Sequence, residues 1–356
     1  VLMLKWTLNL SAFVLALPML YIFGCGLYTL YCQEWLQFLI LLVAEFGCFA
    51  LIFMGALIVD AAERFNGWVA NIINNLYYGD VLVGIPQQCV SHYLFWDKDL
   101  FEAAGLDPET PPADFDELKE FATKLTDPSK NQYGFVIPTN NNVTAQYIMF
   151  AFGADITDPD GLTATMNTPE AVEAFEWMYD MYVNVKCSPA DVDDNTYLSG
   201  QVGMFINGPW IVNGLRESEI NFGVAPVPTG NPPKAMIPPM GFAVPKGVPE
   251  DRKELVYDFA RWWNTTEVSA EWTERCGVPP YLESVRELYK DDPLIQTLSA
   301  PLSYATVSMK MTGINPIVQD TLYPAMQEIF SGAPIQETLD KYNPQVQSNL
   351  DKILGS

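Results

Sequence analysis

From about Asp60 onward the chain alternates between two patterns. Short apolar runs read as buried strands, and stretches with apolar residues at every third or fourth position read as helices. "VDAAERFNGWVANI" predicts a short amphipathic helix ended by Asn66 and Gly67, and "VLVGIP" a strand stopped by Pro86. "HYLFWDKDLFEAAGL" reads as a strand running into a helix that ends at Gly105. "ADFDELKEFATKLTD" is a helix with Leu118, Phe121 and Leu125 on one face. A strand in "YGFVIP" and a helix over Ala145 to Phe152 follow. Another helix has Thr168 as N-cap and Pro169 at its first position. Strands are expected in "VGMFING", "NFGVAPVP" and "GFAVPKG", then one or two helices in "EDRKELVYDFARWWNTTEVSAEWTERC". Helices over Leu322 to Phe330, Ile335 to Tyr342 and Val346 to Leu354 finish the chain. This alternation predicts α/β architecture with largely parallel sheets. A chain of 356 residues exceeds one ordinary core, so two lobes are expected.

The first sixty residues break the pattern. Leu10 to Tyr31 carries no charge, and Leu36 to Val59 carries only Glu45. Three readings stay open: a transmembrane hairpin, an uncleaved lipoprotein signal ending at Cys25, or a buried α/β segment without the polar face that a soluble lobe shows.

Composition narrows the function. The net charge is −24, which argues against nucleic acid as a partner, because phosphate binding needs clustered Lys and Arg. The six cysteines form no CxxC pair and have no histidine cluster beside them, so no metal site is expected. His92 is the sole histidine. Ser-His or Cys-His catalysis would have to run through it with Ser91 or Cys89, and a structural role is the commoner use of such a residue. Aromatics reach 13%, rich for a plain scaffold. In "GQVGMFINGPW" the apolar run Met204 to Ile206 is broken by Asn207, Gly208 and Pro209, which delivers Trp210 at a strand end. Trp210 is there either a core residue closing a turn or an aromatic platform lining a cleft.

Four motifs occur together in a familiar order. "VLVGIP" leading to "YLFWDKDLFEAAGLDPETPPADFDELKEFATKLT", then "GQVGMFINGPW", then "GFAVPKG" and "TERCGVPPYLESV", resemble the extracellular sugar-binding proteins of ABC importers, the family that includes maltose-binding protein. The likeness spans about Ile52 to the C-terminus. The first fifty residues match only in spacing, and the chain between Gly67 and Gly79 is shorter than the family norm.

The resemblance implies a two-lobed periplasmic-binding-protein-like α/β fold with a hinge and a ligand cleft between the lobes. One lobe would comprise residues 1–89 and 242–298, the other 92–239 and 304–356, with crossings near 88–92, 238–241 and 299–304. It implies capture of a di- or oligosaccharide outside the cytoplasm and delivery to an ABC permease. The protein would act as a monomer without catalysis or cofactor, in the periplasm or lipid-anchored at the outer face of the cell membrane. Sugars offer apolar C–H faces and in-plane hydroxyls, so they need aromatics plus amides or carboxylates. On the family pattern Trp210 stacks on a pyranose face, and Gln87 and Gln88 bond hydroxyls from the first crossing. Asn140, Asn141 and Asn142 follow strand "YGFVIP" as amide donors. Met240 and Phe242 flank the second crossing, and Tyr281 reaches the cleft rim. The alternatives are a glycosidase using two carboxylates, or a membrane-anchored sugar sensor if residues 10–59 span the bilayer.

Overall fold

A computed structural model describes residues 76–355, except 79–80, 140–141, 191, 193, 230–232, 239 and 307–316. The apolar N-terminal segment, the helix expected around residues 60–72, Asn140 and Asn141 therefore lie outside the described residues.

The architecture is built around β4 (Tyr93–Asp97), which every residue buries. It lies between β5 (Met204–Asn207) and β6 (Phe222–Pro226), antiparallel to both. β5 and β6 thus run the same way on opposite sides of β4, joined by the short helix α6 (Ile211–Glu217). Leu94 and Trp96 face one apolar cluster with Met204 and Ile206, while Tyr93 and Phe95 face another with Phe205, Val212 and Leu298. Both faces of the strand are covered, which is why its residues Tyr93 to Trp96 are all apolar or aromatic. Beyond β5, residues 133–137 run alongside it in parallel: Tyr133 N–H donates to Gln201 O at 2.9 Å and Gly203 N–H to Tyr133 O at 2.8 Å.

This sheet differs from the expectation of largely parallel pairing. Every multi-residue ladder among the described residues is antiparallel, and parallel pairing survives as isolated bridges at Tyr133–Val202 and Met236–Thr306. The cause is the placement of β4 between two strands of opposite sense, which separates β5 from β6.

Helices cover the sheet. α1 (Lys98–Ala103) starts directly from β4, capped by the Asp97 carboxylate, which accepts from the N–H groups of Asp99 and Leu100. α2 (Phe115–Leu125) is capped by Asp114. α3 (Asn142–Phe152) and α4 (Pro169–Asp180) pack together on the first cluster. Thr168 occupies the N-cap of α4, although its hydroxyl makes no capping bond. After a short α5 (Asp194–Tyr197), the remaining helices are α7 (Glu250–Trp263), α8 (Thr266–Cys276), α9 (Glu283–Leu288), α10 (Pro293–Ser299), α11 (Tyr323–Phe330) and α12 (Ile335–Leu354). α12 is one helix where the sequence suggested two. Pro344 removes one helical donor, but Tyr342, Val346 and Leu350 on both sides of it bury into the same cluster, and that packing carries the helix through. No described helix is long and apolar enough to cross a membrane.

A second ladder pairs β3 (Ile85–Gln88) with β7 (Met240–Phe242), antiparallel, with a register shift between Pro86 and Gln88. Preceding it, β1 (Tyr77–Tyr78) and β2 (Val81–Leu82) form a small hairpin. The chain segments between the ladders are laced together. Ser91 Oγ donates to Met236 O at 2.9 Å, Ile237 N–H to Thr306 O at 2.9 Å, and Thr306 N–H to Ala235 O at 2.8 Å. Residues 89–92, 235–237 and 301–306 therefore lie side by side, over a cluster that includes Cys89, Ile237, Leu302 and Ala305. Helix α10 packs on the three-stranded sheet: Ile295 and Leu298 join the cluster of Tyr93 and Phe95, and Tyr93 OH donates to Leu298 O.

Candidate functional site

Trp210 stands at the β5 end, one residue before α6, and half of it is open to solvent (50%). The turn that places it is held by Asn207, whose Oδ1 accepts the Gly208 N–H at 2.8 Å. The indole folds back over Gly208, where a Cβ would lie 2.1 Å from the ring. Glycine is required there because the ring occupies the space of a side chain. Trp210 is thus not a buried core residue closing a turn.

The ring meets His92 edge to face, with centroids 5.5 Å apart at 84°. His92 stacks in turn on Tyr147 of α3 at 3.8 Å. These three residues come from the chain entering β4, from a helix and from the end of β5, and they form an aromatic corner. His92 is 5% exposed and its Nδ1 has no hydrogen-bond partner among the described residues. Burial lowers its pKa to about 3, so the ring is neutral at ordinary pH. Behind it lies a small hollow lined by His92, Ser91, Tyr147, Tyr304 and Lys234 among others. Neither His92 nor Tyr147 was selected as a ligand residue from the sequence. The available signal was that the sole histidine sits directly before β4, in an expected crossing.

Gln88 and Met240 are brought together across the β3–β7 ladder. Gln88 Nε2 donates to Met240 Sδ at 2.8 Å, and Gln88 Oε1 accepts the Trp272 indole N–H at 3.2 Å. The Gln87 carbonyl accepts from Trp263 Nε1 at 2.7 Å, and the Gln87 side-chain amide has no partner among the described residues. Phe242 sits half-buried against Phe259 and Trp263, and lines an apolar hollow with Val83, Ile85 and Val256. That hollow shares no lining residue with the one beside His92.

Tyr281 is a correction to the expectation of a rim residue. It is 4% exposed, and its hydroxyl donates to Asn264 Oδ1 at 2.7 Å. Asn264 Nδ2 in turn donates to Pro86 O at 3.0 Å. Tyr281 therefore anchors β3 from the interior, and burial pushes its phenol well above the usual range. Asn142 begins α3, while Asn140 and Asn141 fall outside the described residues.

The groups considered for nucleophilic chemistry do not form a nucleophile–base pair. The Ser91 hydroxyl is committed to Met236 O, and the Cys89 thiol is fully buried with its pKa raised by desolvation. No carboxylate orients His92 Nδ1. Among the described residues no cluster of three or more His, Cys, Asp or Glu side chains could hold a metal ion.

Residues 55–297 match the family model of bacterial extracellular solute-binding proteins, and the chain belongs to that family. A putative binding protein of Brucella abortus is 29% identical over 270 residues, covering 70% of this chain and 63% of that relative. The maltotriose-binding protein of Pyrococcus abyssi is 27% identical over 252 residues, covering 67% of this chain and 55% of its own length. The matched region thus spans less than two thirds of either relative. Among solved structures, an ABC-transporter solute-binding protein of Thermotoga lettingae bound to α-D-tagatose superposes with a TM-score of 0.69 at 21% identity, covering 81% of each chain. The fold is the two-domain α/β fold of these binding proteins.

Proposed function

We propose that the protein captures a carbohydrate, a di- or oligosaccharide, between two lobes outside the cytoplasm and hands it to an ABC import permease, without catalysis. The observation that carries this reading is the half-exposed Trp210 ring, held over Gly208 at a strand end and braced edge-on by His92. A flat, rigid apolar plane in that setting suits the C–H face of a pyranose. Gln87, whose side-chain amide has no partner among the described residues, and Gln88, next to it in β3, would serve the hydroxyls. Asn140, Asn141 and Asn142 would add amide donors before and at the start of α3. Met240 would contribute an apolar contact beside Gln88.

The side-by-side packing of residues 89–92, 235–237 and 301–306 supports three lobe crossings close to 88–92, 238–241 and 299–304. Residues 1–89 with 242–298 would form one lobe and 92–239 with 304–356 the other. Family membership supports an extracytoplasmic location, periplasmic or lipid-anchored, and action as a monomeric receptor. The name of the maltotriose-binding relative favours α-glucans as first candidates.

The test is a thermal-shift screen against maltose, maltotriose, trehalose, cellobiose, and xylo- and manno-oligosaccharides. A ligand at about a hundred times its Kd adds roughly 2.7 kcal/mol of stability. A clear upward shift with one sugar class, with that sugar recovered intact, is the expected result. No shift with any sugar, or sugar recovered cleaved, overturns the reading.

A further inference from the structure

The turn that carries Trp210 is held on both sides by a helix end far away in the sequence. Asn213, in the first turn of α6, donates from Nδ2 to Arg275 O at 2.7 Å across 62 residues of chain. Arg275 is the last residue but one of α8. The final four carbonyls of a helix have no partner within it. Thr273 O accepts the Gly277 N–H at 3.0 Å, and Arg275 O takes its hydrogen from Asn213. The Asn213 amide therefore completes the C-terminal end of α8 from outside. On the other side of Trp210, Pro209 meets the same helix end. Gly277 is buried at φ +68, a conformation that glycine adopts freely, and a Cβ there would lie 3.0 Å from Pro209 O and 3.5 Å from Val212 Cβ. The missing side chain lets α8 rest directly on the turn.

α8 is also tied to the other element assigned to the sugar. The Trp272 indole N–H donates to Gln88 Oε1 of β3 at 3.2 Å, and Ser269 Oγ donates to Trp263 O at the end of α7 at 3.0 Å. One helix thus reaches β3 through Trp272 and the Trp210 turn through its last residues. In the lobe division proposed above, α8 and β3 belong to one lobe, and residues 209–213 to the other.

We propose that Asn213 and the C-terminal end of α8 form a clasp between the lobes, which fixes the Trp210 platform relative to β3. Asn213 is then a positioning residue that sets how long a sugar is held without touching it. This rests on the reading of Trp210 as the sugar platform and on that lobe division. A sugar that contacts both lobes and a clasp that joins them favour the same arrangement, so each strengthens the other. Loss of the clasp acts on release more than on capture, because the first encounter precedes closure.

The experiment compares the purified parent chain with Asn213→Ala and Asn213→Leu. Both replacements favour helix at least as well as asparagine, so α6 itself is not weakened. Stopped-flow fluorescence reads capture and release of maltotriose, or of the sugar that gives the largest thermal shift. Small-angle X-ray scattering reads the radius of gyration without sugar. The expected result is a koff raised about fivefold, the worth of one hydrogen bond, with kon within about twofold. The radius of gyration without sugar should exceed the parent's in both variants. Ser218→Ala, which removes a hydroxyl bonded to Gly214 O at the far end of α6, should leave koff and radius unchanged. An unchanged koff in the Asn213 variants, whether or not the melting temperature falls, makes the contact purely structural and overturns the clasp. Equal radii overturn it as well, and in both cases the Trp210 platform stands. A parent chain that binds no sugar overturns the platform reading. The scattering then decides the clasp by itself: larger radii in the Asn213 variants support it and equal radii overturn it.

Discussion

Gly208 decides where the Trp210 ring can lie. The indole occupies the volume that any side chain at 208 would need. Gly208→Ala should push the ring off its seat and weaken sugar binding about tenfold, with the far-ultraviolet circular dichroism spectrum retained; calorimetry reads the first and the spectrum the second. An unchanged Kd would mean that the ring's seat is irrelevant to binding. His92 gives a prediction of the opposite kind, about stability. Burial holds its folded-state pKa near 3 against the ordinary 6.5, so between those values the unfolded chain binds a proton that the folded chain refuses. Stability from this residue is present above about pH 6.5 and is lost as the pH falls toward 3, by up to about 1.4 kcal/mol per unit. His92→Phe should therefore show a smaller loss of urea midpoint between about pH 7 and pH 5 than the parent does. An identical loss would exclude His92 as a contributor. At this scale the sequence was partly legible. Asn-Gly-Pro after an apolar run announces that Trp210 emerges from a strand. Nothing in "VPPYLES" announces that Tyr281 will meet Asn264, seventeen residues away, because that pairing is created when Tyr281 and the residue ending α7 both pack against Pro86 of β3.

Elements were legible where local pattern and tertiary context agree. β4, β5, β6, α2, α4 and α7 fall where the periodicity places them. Pairing sense and helix continuity were not. The antiparallel insertion of β4 between β5 and β6 is a long-range choice, since about a hundred residues separate β4 from β5 along the chain. The continuity of α12 through Pro344 depends on a cluster assembled from α4, α11 and the sheet. One close approach is diagnostic of this layer. The backbone at Gly134 passes so near α2 that a Cβ would come within 1.9 Å of the Ala122 carbonyl oxygen. Gly134→Ala has backbone and not a flexible side chain to displace, so it should destabilise by about 3 kcal/mol or more, measured by urea denaturation. A loss under about 1 kcal/mol would mean that α2 slides freely on the sheet. Thr168→Ala, by contrast, removes a cap residue whose hydroxyl makes no capping bond, and should cost well under about 1 kcal/mol.

At the scale of the whole molecule, residues 89–92, 235–237 and 301–306 run together. Ser91, Met236 and Thr306 lace those segments beside the aromatic corner. If residues 88–92 cross between lobes, as proposed, closure there would reach His92 and Trp210 directly. The family fold makes the cleft between lobes the natural seat for a ligand. The family was legible from four motifs in order; the contact of His92 with Tyr147 and Trp210 was not, because it forms only once residues 89–92, α3 and the end of β5 converge. The most direct measurement is calorimetric titration of the parent chain and Trp210→Ala with maltotriose, or with whichever sugar gives the largest thermal shift. The account predicts binding to the parent, a Kd weakened by more than about tenfold in Trp210→Ala, and a melting temperature nearly unchanged, as befits a half-exposed ring. An equal Kd in the two proteins would contradict it and return Trp210 to a purely structural role.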